Sequence, residues 1–177
     1  MSEALYTLGF PQLAPADGRM IEDFRQAHDL PYRDVVQAHV TLVFGIEDVD
    51  PAAYIAHIRA VTQTANPIDF VCRYAMLGSD HASDDAYVFL VPDEGFGAIS
   101  LLHDRLYTGL LAPKLRLDLP FIPHITLGTL ADRQAAKALC DGLNEQGVYV
   151  AGRLADLSVC ALREGKITRL ETHTLGG

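Results

Sequence analysis

Two short segments of this chain carry the same residue types in the same order. His39-Val40-Thr41-Leu42-Val43-Phe44-Gly45 and Pro123-His124-Ile125-Thr126-Leu127-Gly128 share a histidine, a β-branched residue, a threonine and a leucine. In an extended strand successive side chains alternate between faces, so each segment sets its histidine and threonine on one side and its aliphatic residues on the other. If the two polar faces meet across a cleft, two imidazoles and two hydroxyls surround one centre. A neutral imidazole there takes a proton from an attacking water or hydroxyl, and a protonated one delivers a proton to the departing oxygen. Threonine hydroxyls donate hydrogen bonds to the non-bridging oxygens of a phosphate and offset the charge that develops on them. The expected chemistry is phosphoester cleavage, with His39, Thr41, His124 and Thr126 as the catalytic set. No metal and no cofactor are expected, because two histidines without convergent carboxylates are too few ligands for zinc.

A histidine two places before a hydroxyl residue is weak evidence alone, since His81-Ala82-Ser83 repeats it. That copy lies in an acidic segment without strand periodicity and reads as solvated loop, with Asp80, Asp84 and Asp85 as solubilising charges. Arg73, Tyr74 and Arg163 fall on or near hairpin strands that could line the cleft, where arginine binds phosphate and an aromatic ring stacks on a base. The simpler reading of all three is as ordinary surface residues. Tyr6 and Phe121 are either core aromatics or stacking platforms. His28, His57, His103 and His173 lack such context and read as partly exposed residues without a role.

The elements that must position these groups follow from periodicity. Residues 4 to 10 predict an opening strand, and Met20, Ile21, Phe24 and Ala27 mark a helix from Ala16 to about His28 that Pro31 stops. Residues 38 to 46 predict a strand, and Asp50-Pro51 supplies the cap and first turn of a helix whose buried stripe is Tyr54, Ile55, Ile58, Val61 and Ala65. A hairpin is expected over about 68–77 and 86–92, and a helix from Phe96 to about Leu111 with Ile99, Leu102, Leu106 and Leu110 inward. A strand from His124 to Leu130, a helix capped by Asp132 and a closing hairpin over 154–163 and 166–175 complete the chain. Strand, capped helix and hairpin thus occur twice, each time after a histidine-bearing strand, which predicts an internal duplication.

Half of the 177 residues are apolar, enough for a real core in one domain. The net charge of −9 disfavours duplex nucleic acid and suits a small phosphorylated substrate. Cys72, Cys140 and Cys160 form no close pair and read as reduced core thiols. Without a basic leader or a long apolar run, the chain is expected in the cytoplasm and off the membrane. The sequence is silent on oligomeric state.

The paired His-x-Thr-Leu strands resemble the two-histidine (2H) phosphoesterase superfamily, in particular its bacterial 2′-5′ RNA ligase and cyclic phosphodiesterase branch. The resemblance spans nearly the whole chain; Ala38 stands where that family often has proline. It implies an α+β fold: a bilobal, pseudo-two-fold arrangement of two antiparallel sheets flanked by helices around a central cleft, residues 1–177 forming one such domain. It implies hydrolysis of a 2′,3′-cyclic phosphate or similar cyclic phosphodiester on a small nucleotide or RNA end, within RNA processing. Joining of RNA ends through a 2′-5′ linkage is the alternative, and a non-catalytic phosphate-binding module a further one.

Overall fold

The computed structural model describes residues 3–79 and 83–176; Asp80 and His81 lie outside them. The chain runs β1 (Leu5–Gly9), β2 (Gln12–Leu13), α1 (Pro15–His28), β3 (Val40–Ile46), α2 (Pro51–Thr62), β4 (Ile68–Ser79), β5 (Ala86–Glu94), α3 (Phe96–Leu106), β6 (Ile125–Leu130), α4 (Arg133–Gln146), β7 (Val150–Leu154), β8 (Asp156–Arg163) and β9 (Lys166–Thr174). The fold is α+β. One antiparallel sheet has the order β3-β1-β8-β9 and the other β2-β7-β4-β5-β6, so each histidine-bearing segment leads into an edge strand.

The helices start where the sequence provides caps. Asp50 accepts from the Ala53 N–H at 2.8 Å, and Asp132 accepts from the N–H groups of Gln134 and Ala135 at 2.8 and 3.1 Å, satisfying donors that a helix start leaves open. Helix α2 packs on β8 and β9, α4 on β4, β5 and β6, α1 on β6, and α3 on β3, β4 and β5. A single apolar cluster joins them, with Leu42, Tyr54, Ile58, Leu90, Ile99 and Leu127 wholly buried. All three cysteines are free and buried.

Three features depart from the sequence-based expectation. Helix α3 stops at Leu106 rather than near Leu111, because Tyr107 leaves helical geometry and Gly109 takes a left-handed φ of 49° before a 3₁₀ turn over Gly109–Lys114. Leu110 is consequently exposed, and Leu111 fills the core in its place. Strands β2 and β7 were not foreseen, being short and without a clear alternation. The repeated units also do not coincide with the sheets: β3 shares a sheet with the closing hairpin β8–β9, while the hairpin that follows β3 in sequence, β4–β5, pairs with β6. Helix α2 carries the chain from one sheet to the other.

Candidate active site

The strand alternation separates the two motifs into a core side and a cleft side. Val40, Leu42, Ile125 and Leu127 are buried, while His39, Thr41, His124 and Thr126 are partly accessible and line one cavity of about 640 Å³. The cavity therefore brings together four polar groups from opposite sheets.

Both imidazoles are held in the same way. His39 Nδ1 lies 2.7 Å from the Gln37 carbonyl, and His124 Nδ1 lies 2.6 Å from the Ile122 carbonyl. A carbonyl only accepts, so Nδ1 carries the proton in each ring and the neutral ring keeps its lone pair on Nε2. Burial pushes the pKa of both histidines down, His39 to about 4; at His39 the Gln37 bond opposes the shift, while the charges of Arg25 and of His124 add to it. That His124 acts on His39 at all marks the rings as electrostatic neighbours.

The walls differ around the two rings. Phe89, on β5, stacks on His124 with 3.8 Å between ring centroids and 25° between planes. It can lie there because Gly78, diagonal to it across the β4–β5 pair, has no side chain: a Cβ on Gly78 would sit 2.0 Å from the Phe89 ring. Among the described residues, the ring neighbour of His39 is the tilted Phe10 at 6.1 Å. Tyr6 lines the cavity, and burial with the nearby Glu47 raises its pKa, keeping the phenol a hydrogen-bond donor.

A buried charge network positions the segment before His39. Arg25, on α1, is 2% exposed; its Nε and Nη2 donate to Asp29 at 3.1 and 3.0 Å, and Nη2 also donates to the Val36 carbonyl at 2.8 Å. Glu22 takes the third Arg25 nitrogen, Nη1, and accepts from the Ala38 N–H at 2.8 Å. The two side chains thus grip the peptides on either side of Gln37, whose carbonyl orients His39. Asp29 accepts from Thr129 Oγ1 on β6 at 2.8 Å, tying the same network to the strand that follows His124. Burial pushes the Asp29 pKa up against these bonds.

The remaining sequence candidates lie elsewhere. Arg73 pairs with Asp93 at 2.7 Å and with Glu94, and its guanidinium sits over the Tyr149 ring. Tyr74 is exposed, Arg163 pairs with Glu3, and Phe121 stacks on His103 at 3.7 Å against the core; none of the four lines the cavity. His103 and His173 are buried rather than partly exposed, His103 because Phe121 and Tyr107 enclose its ring. Arg25, Asp29, Phe89 and Arg116 line the cavity without having been singled out from sequence. Arg25 and Asp29 offered only the weak signal of opposite charges at i, i+4 where α1 ends, and Arg25 alone reads as a surface charge; Phe89 and Arg116 carried none. Among the described residues no three His, Cys, Asp or Glu side chains are placed to hold a metal ion, and no helix is long and apolar enough to cross a membrane.

The fold recurs in solved structures. E. coli LigT complexed with 3′-AMP superposes with a TM-score of 0.61 at 18% identity over 100% of both chains. TT0787 of Thermus thermophilus gives 0.59 at 19% identity, covering 98% of each, and Usb1 of Kluyveromyces marxianus gives 0.58 at 11%, covering 97% of this chain and 98% of its own. These identities establish a shared fold. Among curated proteins none matches. The family model of the 2′-5′ RNA ligase superfamily matches residues 11–165, a span that holds both histidine strands and the helices and hairpin between them, and by that match the chain belongs to the 2′-5′ RNA ligase superfamily.

Proposed function

We propose that this protein hydrolyses a 2′,3′-cyclic phosphate or a similar small cyclic phosphodiester by acid/base catalysis from His39 and His124. One observation carries the reading: two imidazoles, each fixed with Nδ1–H on a backbone carbonyl, line the same cavity with the hydroxyls of Thr41 and Thr126. One ring, neutral, accepts a proton from water at Nε2 as the water oxygen bonds to phosphorus. The other, protonated, donates from Nε2 to the ribose oxygen as its bond to phosphorus breaks. The product is a phosphomonoester, the net change is addition of one water, and the rings exchange protonation states. Thr41 and Thr126 donate to the non-bridging oxygens.

Two further facts support the reading. The apolar wall formed by Leu8, Val36, Phe89 and Ile122 keeps the site of low polarity, which strengthens hydrogen bonds to a phosphate anion. E. coli LigT holds 3′-AMP, a nucleotide phosphomonoester of the kind this reaction releases. End joining would put the hydroxyl of a second strand end in place of the attacking water, with the same proton transfers, but the excess of nine negative charges disfavours a long polyanion. The test is incubation with each of the four nucleoside 2′,3′-cyclic phosphates in the presence of a chelator, following monoester release. Turnover of at least one is expected, and no turnover of any overturns the proposal.

A further inference from the structure

Beside the catalytic cavity lies a second hollow of about 190 Å³, and the two share the side chains of Val35, Val36 and Ile167 as a common wall. The wall is fixed where the Ile167 N–H, on β9, donates to the Val35 carbonyl at 2.9 Å. Two guanidinium groups line the hollow. Arg169, also on β9, lies flat over Phe10 with Cζ 3.7 Å from the ring centre and donates to Gln37 Oε1 at 3.3 Å. Arg33 donates through Nη1 to the Gln26 carbonyl, while its Nε is buried without a hydrogen-bond partner. A buried N–H without a partner is costly in a folded protein and points to a missing acceptor.

The hollow is electrostatically unusual for an acidic chain. Two permanent cations face one carboxylate, Asp34, which is largely solvated and stands 3.5 Å from Arg33 Nε without hydrogen-bonding to it. The hollow is also mechanically continuous with the catalytic centre. Gln37 holds His39 through its carbonyl and Arg169 through its side chain, and Phe10 lies between the His39 ring and the Arg169 guanidinium.

We propose that this hollow is a subsite for a second phosphate, the one esterified to the 5′ oxygen of the nucleotide whose 2′,3′ phosphate lies between His39 and His124. The assignment rests on the phosphodiesterase reading above and deepens it by naming the substrate class: a nucleotide with phosphate at both ends of its ribose. Once the 2′ and 3′ oxygens are engaged, the 5′ oxygen is the one remaining ribose position where a nucleotide carries phosphate. Arginine suits the role because its planar fork of donors matches phosphate oxygens, and Arg33 and Arg169 line the hollow together.

Calorimetric titration with adenosine 3′-monophosphate and adenosine 3′,5′-bisphosphate tests this without requiring turnover. The bisphosphate is expected to bind about tenfold more tightly at low salt, as one added charge-assisted contact gives, with the advantage shrinking as salt rises. In Arg33→Gln and in Arg169→Gln the ratio of the two affinities should fall toward one; if Arg169→Gln does not fold, Arg33→Gln alone decides. A dinucleotide ending in a 3′-phosphate, whose internal phosphate is a diester, separates the sources: an advantage shared by the diester marks a strand end, and one confined to the bisphosphate marks a free nucleotide. Equal affinities in the unmodified protein overturn the subsite while leaving the catalytic reading standing. Failure of both ligands to bind removes both readings.

Discussion

The two histidine segments present the same groups through the same Nδ1–carbonyl lock, yet the chain leading into each is held by different forces. Before His39 the grip is polar: Arg25 and Glu22 bond the peptides around Gln37, and Asp29 holds Arg25 in place. Before His124 it is aromatic: Phe121 stacks on His103, Tyr107 packs on the same His103 ring, and Phe89 covers the His124 ring itself. Duplicated chemistry therefore does not require duplicated support. A polar network fixes direction through hydrogen bonds, whereas stacked rings fix position through area and shape.

The sharpest way to break the comparison is to remove each ring. His39→Ala and His124→Ala should each lower kcat/KM on a cyclic phosphate by ~10²–10⁴-fold, since each supplies one proton transfer. Their pH profiles should differ, the variant lacking the base losing the acid limb and the variant lacking the acid losing the alkaline limb. Equal losses with unchanged profiles would show that the rings do not divide the work. In the unmodified protein both pKa values lie below 6.5, so the single-protonated pair is most populated below that pH, and kcat/KM should peak on the acid side of neutrality. For stability, the unfolded chain holds more protons on His39 than the folded one between about pH 4 and 6.5. This contribution is complete above that window and lost as pH falls through it.

The polar grip predicts a stability effect of the next size. Asp29→Ala leaves the Arg25 charge buried without its main partner and should cost about 3–5 kcal/mol in denaturant unfolding. Thr129→Val removes one hydrogen bond of the same network and should cost about 1–3 kcal/mol. If both changes were neutral, the grip would be incidental to the fold.

This asymmetry also separates what the sequence revealed from what it hid. The placement of His39, Thr41, His124 and Thr126 on one cavity was legible because alternation in a strand is a local property, and two matching copies multiply its weight. The helices α2 and α4 were legible from Asp50 and Asp132, whose caps are equally local. The sheet partners of β3 and β6 were not, because β3 pairs with β1 and β6 with β5 across distances in sequence that periodicity does not encode. Arg25 was hidden for a related reason: it looks like a surface charge until the 29–38 segment folds over it. Arg73 and Arg163 were proposed for the cleft on strand position alone, and carboxylates on adjacent chain segments occupy them instead.

The hydroxyls provide a more symmetrical test. Thr41→Val and Thr126→Val keep the β-branched shape and delete one donor to the phosphate, so each should lower kcat/KM by about 10–100-fold, with KM and kcat both affected if the bond exists before the transition state. Similar losses at both positions would mean that the phosphate sits midway between the sheets. A loss confined to one would place it against that strand.

The smallest effect expected is the most specific to the His124 side. Phe89→Leu keeps an apolar wall but removes the face-to-face contact with the imidazole, an interaction worth ~0.5–1.5 kcal/mol, so kcat/KM should fall by no more than about tenfold. The informative readout is titration of the two rings by NMR. With a smaller side chain admitting water, the His124 pKa should move up toward the ordinary histidine value, while His39, which Phe89 does not stack on, should stay where it is. Gly78→Ala reaches the same ring from behind by forcing a Cβ against it, and should add an overpacking cost of about 1–3 kcal/mol to the same His124 shift. If both rings moved together in either variant, the cavity would respond as one electrostatic unit, and the separation between a polar-held and an aromatic-held histidine would not survive.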